Sequence, residues 1–518
     1  MSDRYDVAII GGGHNGLTAA AYLAQAGKRV IVLEKLDHVG GAAVSADAFE
    51  GIDARLSRYS YLVSLLPKRV IRDLGLDIPL IRRRYSSYTP VPGSTGGLLV
   101  DNGDAAATAE SFASIGAGAD VEPWSRFYGG TAELARSLFP TVTEPLLTRS
   151  EARRALGNDA LWDALIEQPV GQTIEREFSN DVVRGVVLTD ALIGTFAPNV
   201  DESLAANKCF VYHVIGNETG DWDVPVGGMG AVTGELWSAA RRAGAEIVMG
   251  AAVTSLTPDG EVRYEHAGAE RTLAAGVILA NVAPAVLSRL LGESDPAPRP
   301  EGAQVKVNLL LDRLPRLRDA SVSSTAAFGG TFHINETWSQ LQSSFDAASS
   351  GSVPDPLPCE IYCHSLSDGS ILSPGLRQGG AHTITVFGLH VPDRLVNEGN
   401  NDELRSHLER AAIASLDSVL AEPIEDLLLT DASGRPTIEA KTTLDLEHAL
   451  GMPGGNIFHG PLSWPFAEDD AELQTPAQRW GVATRYPRIL LCGSGAQRGG
   501  AVSGIGGHNA AMAVLEAS

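Results

Sequence analysis

Cysteine is scarce in this chain, with four residues among 518. So few cysteines cannot build a disulfide framework in a chain of this length. Cys359 and Cys363 are separated by three residues, a spacing that fits neither a redox pair nor a zinc knuckle. We therefore expect a reducing compartment, the cytoplasm, and no metal site.

Basic residues are also in short supply, with 40 Lys and Arg against 63 Asp and Glu and a net charge of −23. An acidic excess of this size repels phosphate backbones and anionic lipid surfaces. We expect no nucleic-acid partner, and we expect the protein not to dock on a membrane.

Long apolar runs are missing as well. The longest apolar stretch near the middle, residues 274–291, is interrupted by Asn281, Pro284 and Arg289. This pattern predicts a buried strand followed by a helix and excludes a membrane-spanning segment there. The sequence contains no nucleophile elbow, HExxH zinc motif, Walker loop or EF-hand loop, so nothing in it indicates a hydrolase or a nucleoside triphosphatase.

The first 35 residues, by contrast, carry a clear pattern. An apolar run at residues 7–10 predicts a strand, residues 17–26 predict a helix, and residues 29–33 predict a second strand. Two strands joined by a helix over so short a distance form a βαβ unit with parallel strands. The sequence therefore predicts an α/β fold.

Glycines at defined positions join the first strand to the helix. Gly11, Gly13 and Gly16 form GxGxxG, which permits a tight turn, close approach of a pyrophosphate and close helix packing. Glu34 ends the second strand, where a carboxylate accepts hydrogen bonds from a ribose. Together these features predict an adenine dinucleotide site.

A second glycine pair, Gly40 and Gly41, follows Glu34 and is of the kind that backs the pyrophosphate in large flavoproteins. The other glycine-rich stretch, residues 227–230, has no acid on a following strand. A separate nicotinamide domain is therefore not expected. FAD is the expected cofactor, with an external electron acceptor that is not a nicotinamide dinucleotide.

The remainder of the chain suggests a second domain. Residues 101–224 have a helical pattern with 20 Asp or Glu against 8 Lys or Arg, a net charge of −12, and residues 305–311 and 381–389 alternate with period two. We predict a discontinuous Rossmann-type FAD-binding domain and a substrate domain with a mixed sheet and a helical lid. The predicted segments are 1–100, 225–300 and 455–518 for the FAD-binding domain, 101–224 for the lid and 301–454 for the sheet.

Several segments carry a family resemblance. They are GGGHNGLTAAAYLAQAGKRVIVLEK at 11–35, VGGAAV at 39–44, SYLVSLL at 60–66, VPVGGMGAVTGEL at 224–236, GGNIFHGPLS at 454–463 and LCGSGAQRGGAVSGIGGHNAA at 491–511. The chain resembles the phytoene-dehydrogenase-like branch of the FAD-dependent amine oxidase superfamily, in particular the pyridine nucleotide-disulphide oxidoreductase domain-containing protein 2 group. The resemblance spans nearly the whole chain in the expected order.

The resemblance implies which residues contact FAD. Beside the glycines and Glu34 already named, it implies backbone contacts to adenine at Val253 and contacts to the ribityl chain and flavin ring at Gly493, Gly500, Ser503 and Gly504. This chain departs from the family pattern at Ala42, where Arg is common, and at residues 497–501, where the family has His-Pro-Gly-Gly-Gly.

Two residues are candidates for catalysis. Lys306 is similar in context to the lysine that reaches the flavin N5 through a water in amine oxidases, although a strand lysine facing solvent is the alternative. His459 is a candidate for accepting a substrate proton at neutral pH, although a loop-stabilising histidine is the alternative. Tyr59, Trp464 and Phe466 are candidates for lining the substrate pocket, against the alternative of core aromatics.

The function that we expect is removal of a hydride equivalent from a C–H bond of a small, largely apolar substrate to form a double bond. Oxygen, a quinone or another acceptor would take the electrons. A flavin amine oxidase acting on C–N bonds is the alternative among enzymes, and a prenyl-protein-binding escort on the same fold is the alternative outside enzymes. The sequence does not indicate the oligomeric state.

Overall fold

The computed structural model describes residues 3–518. Its first layer is a seven-stranded sheet formed from both ends of the chain and from residues 246–280. The strands run in the order β10-β11-β12-β1-β2-β9, and β18 also pairs with β12. Their bounds are β1 Asp3–Ile10, β2 Val30–Leu33, β9 Glu246–Val248, β10 Ala251–Leu256, β11 Glu261–His266, β12 Ala269–Ala280 and β18 Ile489–Leu491. The pairs β12-β1, β1-β2, β2-β9 and β12-β18 are parallel, as the βαβ pattern predicts.

Alternate residues of β1 enter two different cores. Val7 and Ile9 pack with the helices on one face, and Ala8 and Ile10 pack on the other face. Both faces of this strand are thus covered, which explains its unbroken apolar run. The helices that lie near this sheet are α1 His14–Gln25, α2 Lys68–Leu74, α10 Met229–Arg242, α11 Pro284–Leu290, α18 Pro476–Arg479 and α19 Ile505–Glu516.

A second seven-stranded sheet has the order β17-β13-β16-β15-β14-β6-β7. Its strands are β6 Tyr85–Pro90, β7 Gly97–Asp101, β13 Gln304–Leu311, β14 Thr331–Ile334, β15 Cys359–Tyr362, β16 His382–Leu389 and β17 Ile438–Lys441. All its pairs are antiparallel except β14-β6. The helices that follow its strands in the chain are α12 Ser324–Phe328, α13 Trp338–Ser349, α14 His364–Ser367, α15 Pro374–Gly379, α16 Asn401–Asp417 and α17 Thr443–Leu450.

The predicted domain boundary at residue 100 is wrong, because it assigns strands β6 and β7 to the FAD-binding domain. These strands instead extend the second sheet, in which β6 pairs with β14. The period-two alternation of β13 separates two faces that are both buried, since Lys306 and Asn308 are as buried as Val305. Asn308 satisfies its amide by donating to Arg58 O and accepting from Thr385 Oγ1.

Residues 101–224 form the helical segment that the sequence predicts. Its helices are α3 Ala105–Ser114, α4 Val121–Leu138, α5 Arg149–Leu156, α6 Asp159–Trp162, α7 Val170–Glu177, α8 Asp181–Thr189 and α9 Ala205–Val214. Four short strands complete the fold as two small ribbons: β3 Ser45–Asp47 with β4 Arg55–Ser57, and β5 Leu80–Ile81 with β8 Val224–Pro225. Among residues 3–518, no helix is long and apolar enough to cross a membrane.

Candidate functional site

A large cavity of about 630 Å³ runs along the carboxyl ends of the parallel strands. The glycine loop between β1 and α1 forms part of its wall through Gly11, Gly13 and His14. Gly11 has a φ of +100°, and a Cβ at Gly16 would lie 2.2 Å from Gly11 O. The loop therefore takes a shape that only glycine permits at these two positions.

Helix α1 begins at this loop without a side-chain cap, because its N-cap residue is Gly13. The unpaired N–H groups of a helix start attract a phosphate. The buried side chain of Asn15 and the Nε2 atom of His14 also have no hydrogen-bond partner among the described residues. These orphaned polar atoms beside an uncapped helix fit a bound dinucleotide diphosphate.

Glu34 lies at the end of β2 and lines the same cavity. Its carboxylate accepts hydrogen bonds from Gly12 N at 2.6 Å and from Leu36 N at 2.8 Å, and the residue is 7% exposed. Each carboxylate oxygen keeps a free lone pair after these two bonds. The carboxylate can therefore accept from a ribose hydroxyl while the backbone holds it in place.

The second glycine pair lies against the first loop. Gly40 N donates to Gly12 O at 2.9 Å, and Gly40 and Gly41 have φ values of +122° and +58°. Both line the large cavity, as does Val253 of β10. The structure thus brings together Gly11, Gly13, Glu34, Gly40, Gly41 and Val253, six of the residues that the sequence assigns to FAD.

The residues of the C-terminal loop that are predicted to contact FAD do not themselves line the large cavity. Gly493 packs against Asn281, and Gly504, with a φ of +70°, is the N-cap of α19. Gly500 and Ser503 line a small neighbouring cavity of about 40 Å³. From this C-terminal loop, the residues that do line the large cavity are Ser494, Ala501 and Val502.

A second set of side chains lines the large cavity beyond the glycine loops. Tyr59, a predicted pocket residue, belongs to this set, together with Ser60, Tyr61, Leu62, Tyr212, His213, Trp222, Phe387 and His459. Burial lowers the pKa of His459 to about 4, so the imidazole is neutral and is a weak proton acceptor at neutral pH. Burial, and then the neighbouring His459, lower the pKa of His14 to about 4 as well.

The structure excludes the solvent-facing alternative for Lys306. It is 2% exposed and does not face solvent, and it is not among the described residues that line the large cavity. Its Nζ donates to Ser57 O at 2.9 Å and lies 5.1 Å from the Phe387 ring centroid and 6.0 Å from that of Tyr61. Lys306 therefore supports two aromatic residues of the cavity wall from behind.

Replacing Lys306 with methionine should make stability less dependent on pH. Burial holds the pKa of Lys306 well below its ordinary 10.5, with Glu439 partly opposing the shift, so between the folded and unfolded pKa values the unfolded chain binds more protons. Wild-type stability then rises with pH in this window by up to about 1.4 kcal/mol per pH unit. Urea unfolding at several pH values measures the gain in stability of Lys306→Met over wild type.

That gain should shrink as the pH rises from 7 toward 10. Lys68→Met, at an exposed lysine, serves as the matched control and should differ from wild type by an amount that does not change with pH. If the stability difference between Lys306→Met and wild type is also independent of pH, the lowered pKa of Lys306 is contradicted.

Trp464 and Phe466, predicted to line the pocket, lie instead in the core of the helical segment. Their rings stack at 5.8 Å, and Phe466 also packs 5.1 Å from Trp162. Neither is among the described residues that line the large cavity. The prediction is wrong because these aromatics anchor the 461–466 loop to helices far from it in sequence.

A second cavity of about 280 Å³ adjoins the large one, and Tyr61, Ile193, His213 and Trp222 line both. Its remaining wall is largely polar and includes Arg83, Asp190, His333, Glu360 and Tyr362. Sequence reasoning missed this cavity and also missed Asn281, whose Nδ2 donates to Gly11 O at 2.9 Å. Asn281 directly follows strand β12. Because ligands bind at the carboxyl ends of parallel strands, this position could have indicated that Asn281 belongs to the site.

Comparisons with known proteins agree with this architecture. The profile of the NAD(P)-binding Rossmann-like domain matches residues 9–68. The uncharacterized protein Rv0897c of Mycobacterium tuberculosis is 56% identical, covering 99% of this chain and 98% of the relative. Pyridine nucleotide-disulfide oxidoreductase domain-containing protein 2 of Rattus norvegicus is 27% identical, covering 99% of this chain and 94% of the relative.

Among solved structures, cyclohexylamine oxidase from Brevibacterium oxydans has a TM-score of 0.56 at 16% identity and covers 99% of each chain. This likeness shows a shared fold of two domains. The cofactor is FAD. Its site consists of the uncapped start of α1, the GxGxxG loop, the glycine pair at 40–41 and Glu34. The chain therefore belongs to one family with the uncharacterized protein Rv0897c, and it is an FAD-dependent oxidoreductase.

Proposed function

We propose that this enzyme takes a hydride from a C–H bond of a small substrate and leaves a double bond, with oxygen, a quinone or another external acceptor receiving the electrons. FAD supplies the hydride acceptor when it is bound. The observation that carries the proposal is the wall shared by the two cavities, because Tyr61, His213 and Trp222 face both. A substrate in the second cavity is thereby next to the compartment that holds the dinucleotide.

The chain's own residues exclude water and orient the substrate. Tyr61 packs against Tyr362 and Phe387 with ring centroids 4.1 Å and 4.6 Å apart, which makes a rigid aromatic part of the cavity wall. Trp222 is fixed by a hydrogen bond from its Nε1 to His213 O at 3.0 Å. Alignment of a substrate carbon by such fixed walls is the main contribution that hydride transfer requires of a protein.

The polar wall of the second cavity favours a substrate with a polar group over the largely apolar substrate expected from the sequence. Its carboxylates and aromatic rings are groups that bind organic cations. This observation favours amine oxidation as the second candidate, and the related fold of a cyclohexylamine oxidase is compatible with it.

Helix α10 supports our proposal that nicotinamide dinucleotides are not the electron partners. Its N-terminal N–H groups are already satisfied, because Met229 N donates to Ser57 Oγ at 3.1 Å and Gly230 N donates to Ser45 Oγ at 2.9 Å. A Cβ at Gly228 would lie 2.4 Å from Ser45 Oγ, so serine side chains fill the space that a diphosphate would need. Helix α1 has no such caps.

Anaerobic bleaching of the bound flavin tests the function. The FAD-loaded protein should lose its yellow colour with at least one compound from a panel of butylamine, putrescine, cyclohexylamine, cyclohexanone and geraniol, and should keep it with NADH or NADPH. Absorbance under nitrogen measures both. Rapid bleaching by NADPH alone would contradict the proposal and would indicate a nicotinamide-dependent reductase, and no bleaching by any panel compound would also count against it.

A further inference from the structure

The second cavity contains two carboxylates, Asp190 and Glu360, that are not neutralised by a direct ion pair within the described chain. Asp190 is the C-cap of α8, and Glu360 lies on β15 and is 2% exposed. Glu360 Oε2 is buried with no hydrogen-bond partner among residues 3–518. Burying an unpaired acceptor is costly, so its retention beside the large cavity indicates a ligand or a proton as its partner.

Arg83, one of two arginines that line this cavity, is held by other groups. Arg83 donates from Nε to Trp222 O and from Nη1 to Thr331 Oγ1, both at 3.1 Å, and its guanidinium lies 5.8 Å from the Tyr362 ring centroid. Arg83 therefore moderates the potential around the carboxylates without occupying their oxygens.

His333 lies beside Glu360 on the neighbouring strand β14, and Glu336 follows that strand. His333 is directly opposite Glu360 in the β14-β15 pairing, and its Nδ1 is 2.5 Å from Glu336 Oε2. His333 and Glu336 are 4% and 0% exposed. A carboxylate beside one ring nitrogen fixes the orientation of the imidazole, so this pair holds its position beside Glu360.

The carboxylates are suited to exchanging a proton near neutral pH. Burial raises the pKa of Asp190 to about 6 and that of Glu360 to about 8. His333 opposes both shifts, Arg83 opposes that of Asp190, and Tyr362 opposes that of Glu360. The charge of Asp190 contributes to the raised pKa of Glu360, so protonation of the two groups is coupled. The charged and titratable groups around them are Tyr61, Arg83, Tyr128, Cys209, His213, His333, Glu336 and Tyr362, and the same cavity is also lined by Arg82, Tyr85, Asp221 and Asp223.

Three histidines that line the two cavities are weaker bases than the carboxylate pair. Burial lowers the pKa values of His14, His213 and His459 to about 4, which leaves each imidazole a poor acceptor. A general base works best when its pKa is near the working pH.

We propose that the second cavity binds the substrate and that the Asp190–Glu360 pair accepts the proton released in its dehydrogenation, an inference that rests on the proposed function. The substrate H–X–C–H, where X is carbon or nitrogen, loses a hydride from C–H to the bound FAD. Its X–H proton passes to a carboxylate oxygen of the pair, and the electrons of the X–H bond form the X=C double bond. The external acceptor later removes the two electrons. His333 and Glu336 are positioning residues.

Flavin reduction in stopped flow tests the pair. Asp190→Asn and Glu360→Gln are compared with wild type under nitrogen from pH 5 to 9, using the panel compound that bleaches wild type fastest. We expect at least one variant to lose about 100-fold in reduction rate, at unchanged FAD content. Because the acceptor must be deprotonated, the wild-type rate should rise with pH through a midpoint near 6 or near 8, and that rise should disappear in the affected variant.

The matched control is Glu409→Gln. Burial raises the pKa of this glutamate too, but it lies on α16 and is not among the described residues of either cavity. It should keep the wild-type rate and pH profile. Loss in only one cavity variant would identify that residue as the acceptor, whereas wild-type rates and profiles in both variants would overturn the inference.

A second measurement needs no substrate. Infrared difference spectra of the FAD-loaded protein should show protonated carboxyl bands that disappear as the pH rises past about 6 and about 8. Asp190→Asn and Glu360→Gln should each remove one band that Glu409→Gln retains. Absence of both bands in wild type would overturn the inference. Failure of the proposed function is distinct, because in that case wild type itself is not bleached by the panel.

Discussion

Replacing Gly13 with leucine should give a folded protein that purifies without yellow colour. A Cβ at this position would meet one neighbour within 4 Å, Asn281 Nδ2 at 3.3 Å, so the fold tolerates it at small cost. The rest of the leucine side chain must then occupy the large cavity at the uncapped start of α1, where the diphosphate lies close to the backbone. We expect at least about 100-fold weaker FAD binding, since the diphosphate loses its hydrogen bonds to the helix start.

The measurement is the ratio of flavin absorbance to protein absorbance, followed by titration of the apoprotein with FAD. Gly234→Leu is the control, because Gly234 lies within α10 and a Cβ there would meet nothing within 4 Å. Circular dichroism should show the same helix content in both variants. Full flavin content in a folded Gly13→Leu protein would refute the assignment of this loop.

Glu34→Gln should weaken FAD binding by about 10- to 100-fold, because a charge-assisted hydrogen bond contributes roughly 1.5–3 kcal/mol. The amide has one acceptor oxygen where the carboxylate has two. It therefore cannot accept from Gly12 N, Leu36 N and a ribose hydroxyl with the geometry of the wild type. Stability should fall as well, by about 1–3 kcal/mol, because one buried N–H loses its acceptor.

Titration of apoprotein with FAD and thermal unfolding with and without FAD separate the two effects. Glu265→Gln, an exposed glutamate on β11 of the same sheet, is the matched control and should change neither quantity. An unchanged FAD affinity for Glu34→Gln would show that the carboxylate serves only the backbone of the loop.

Part of the site was predictable because its chemistry is local. The turn at Gly11, the helix start after Gly13 and the acid at Glu34 lie within one βαβ unit, whose geometry follows from strand, turn and helix in sequence. Gly40 and Gly41 follow directly and pack on the same loop. Residues of this part of the site are close in the sequence and therefore also close in the folded chain.

Other predictions failed where long-range packing decides. Lys306 is a charged residue on a strand with an alternating pattern, which ordinarily indicates a solvent-exposed face, yet β16, β17 and the segment around Ser57 cover it. Trp464 and Phe466 are large aromatics in a loop that lines the small cavity beside Gly500, and only the position of the helical segment shows that they belong to its core.

The sequence by itself determined the α/β fold, the dinucleotide loop and the family, since each depends on contiguous residues or on motif order. Only the tertiary structure forms the second cavity. Arg83, Asp190, His333 and Glu360 come from four segments spread over 278 residues and have no shared local pattern. They meet because β14 pairs with β15 and α8 ends next to that pair. The burial of these residues and the electrostatic interactions between them, which set their pKa values, therefore exist only in the folded chain.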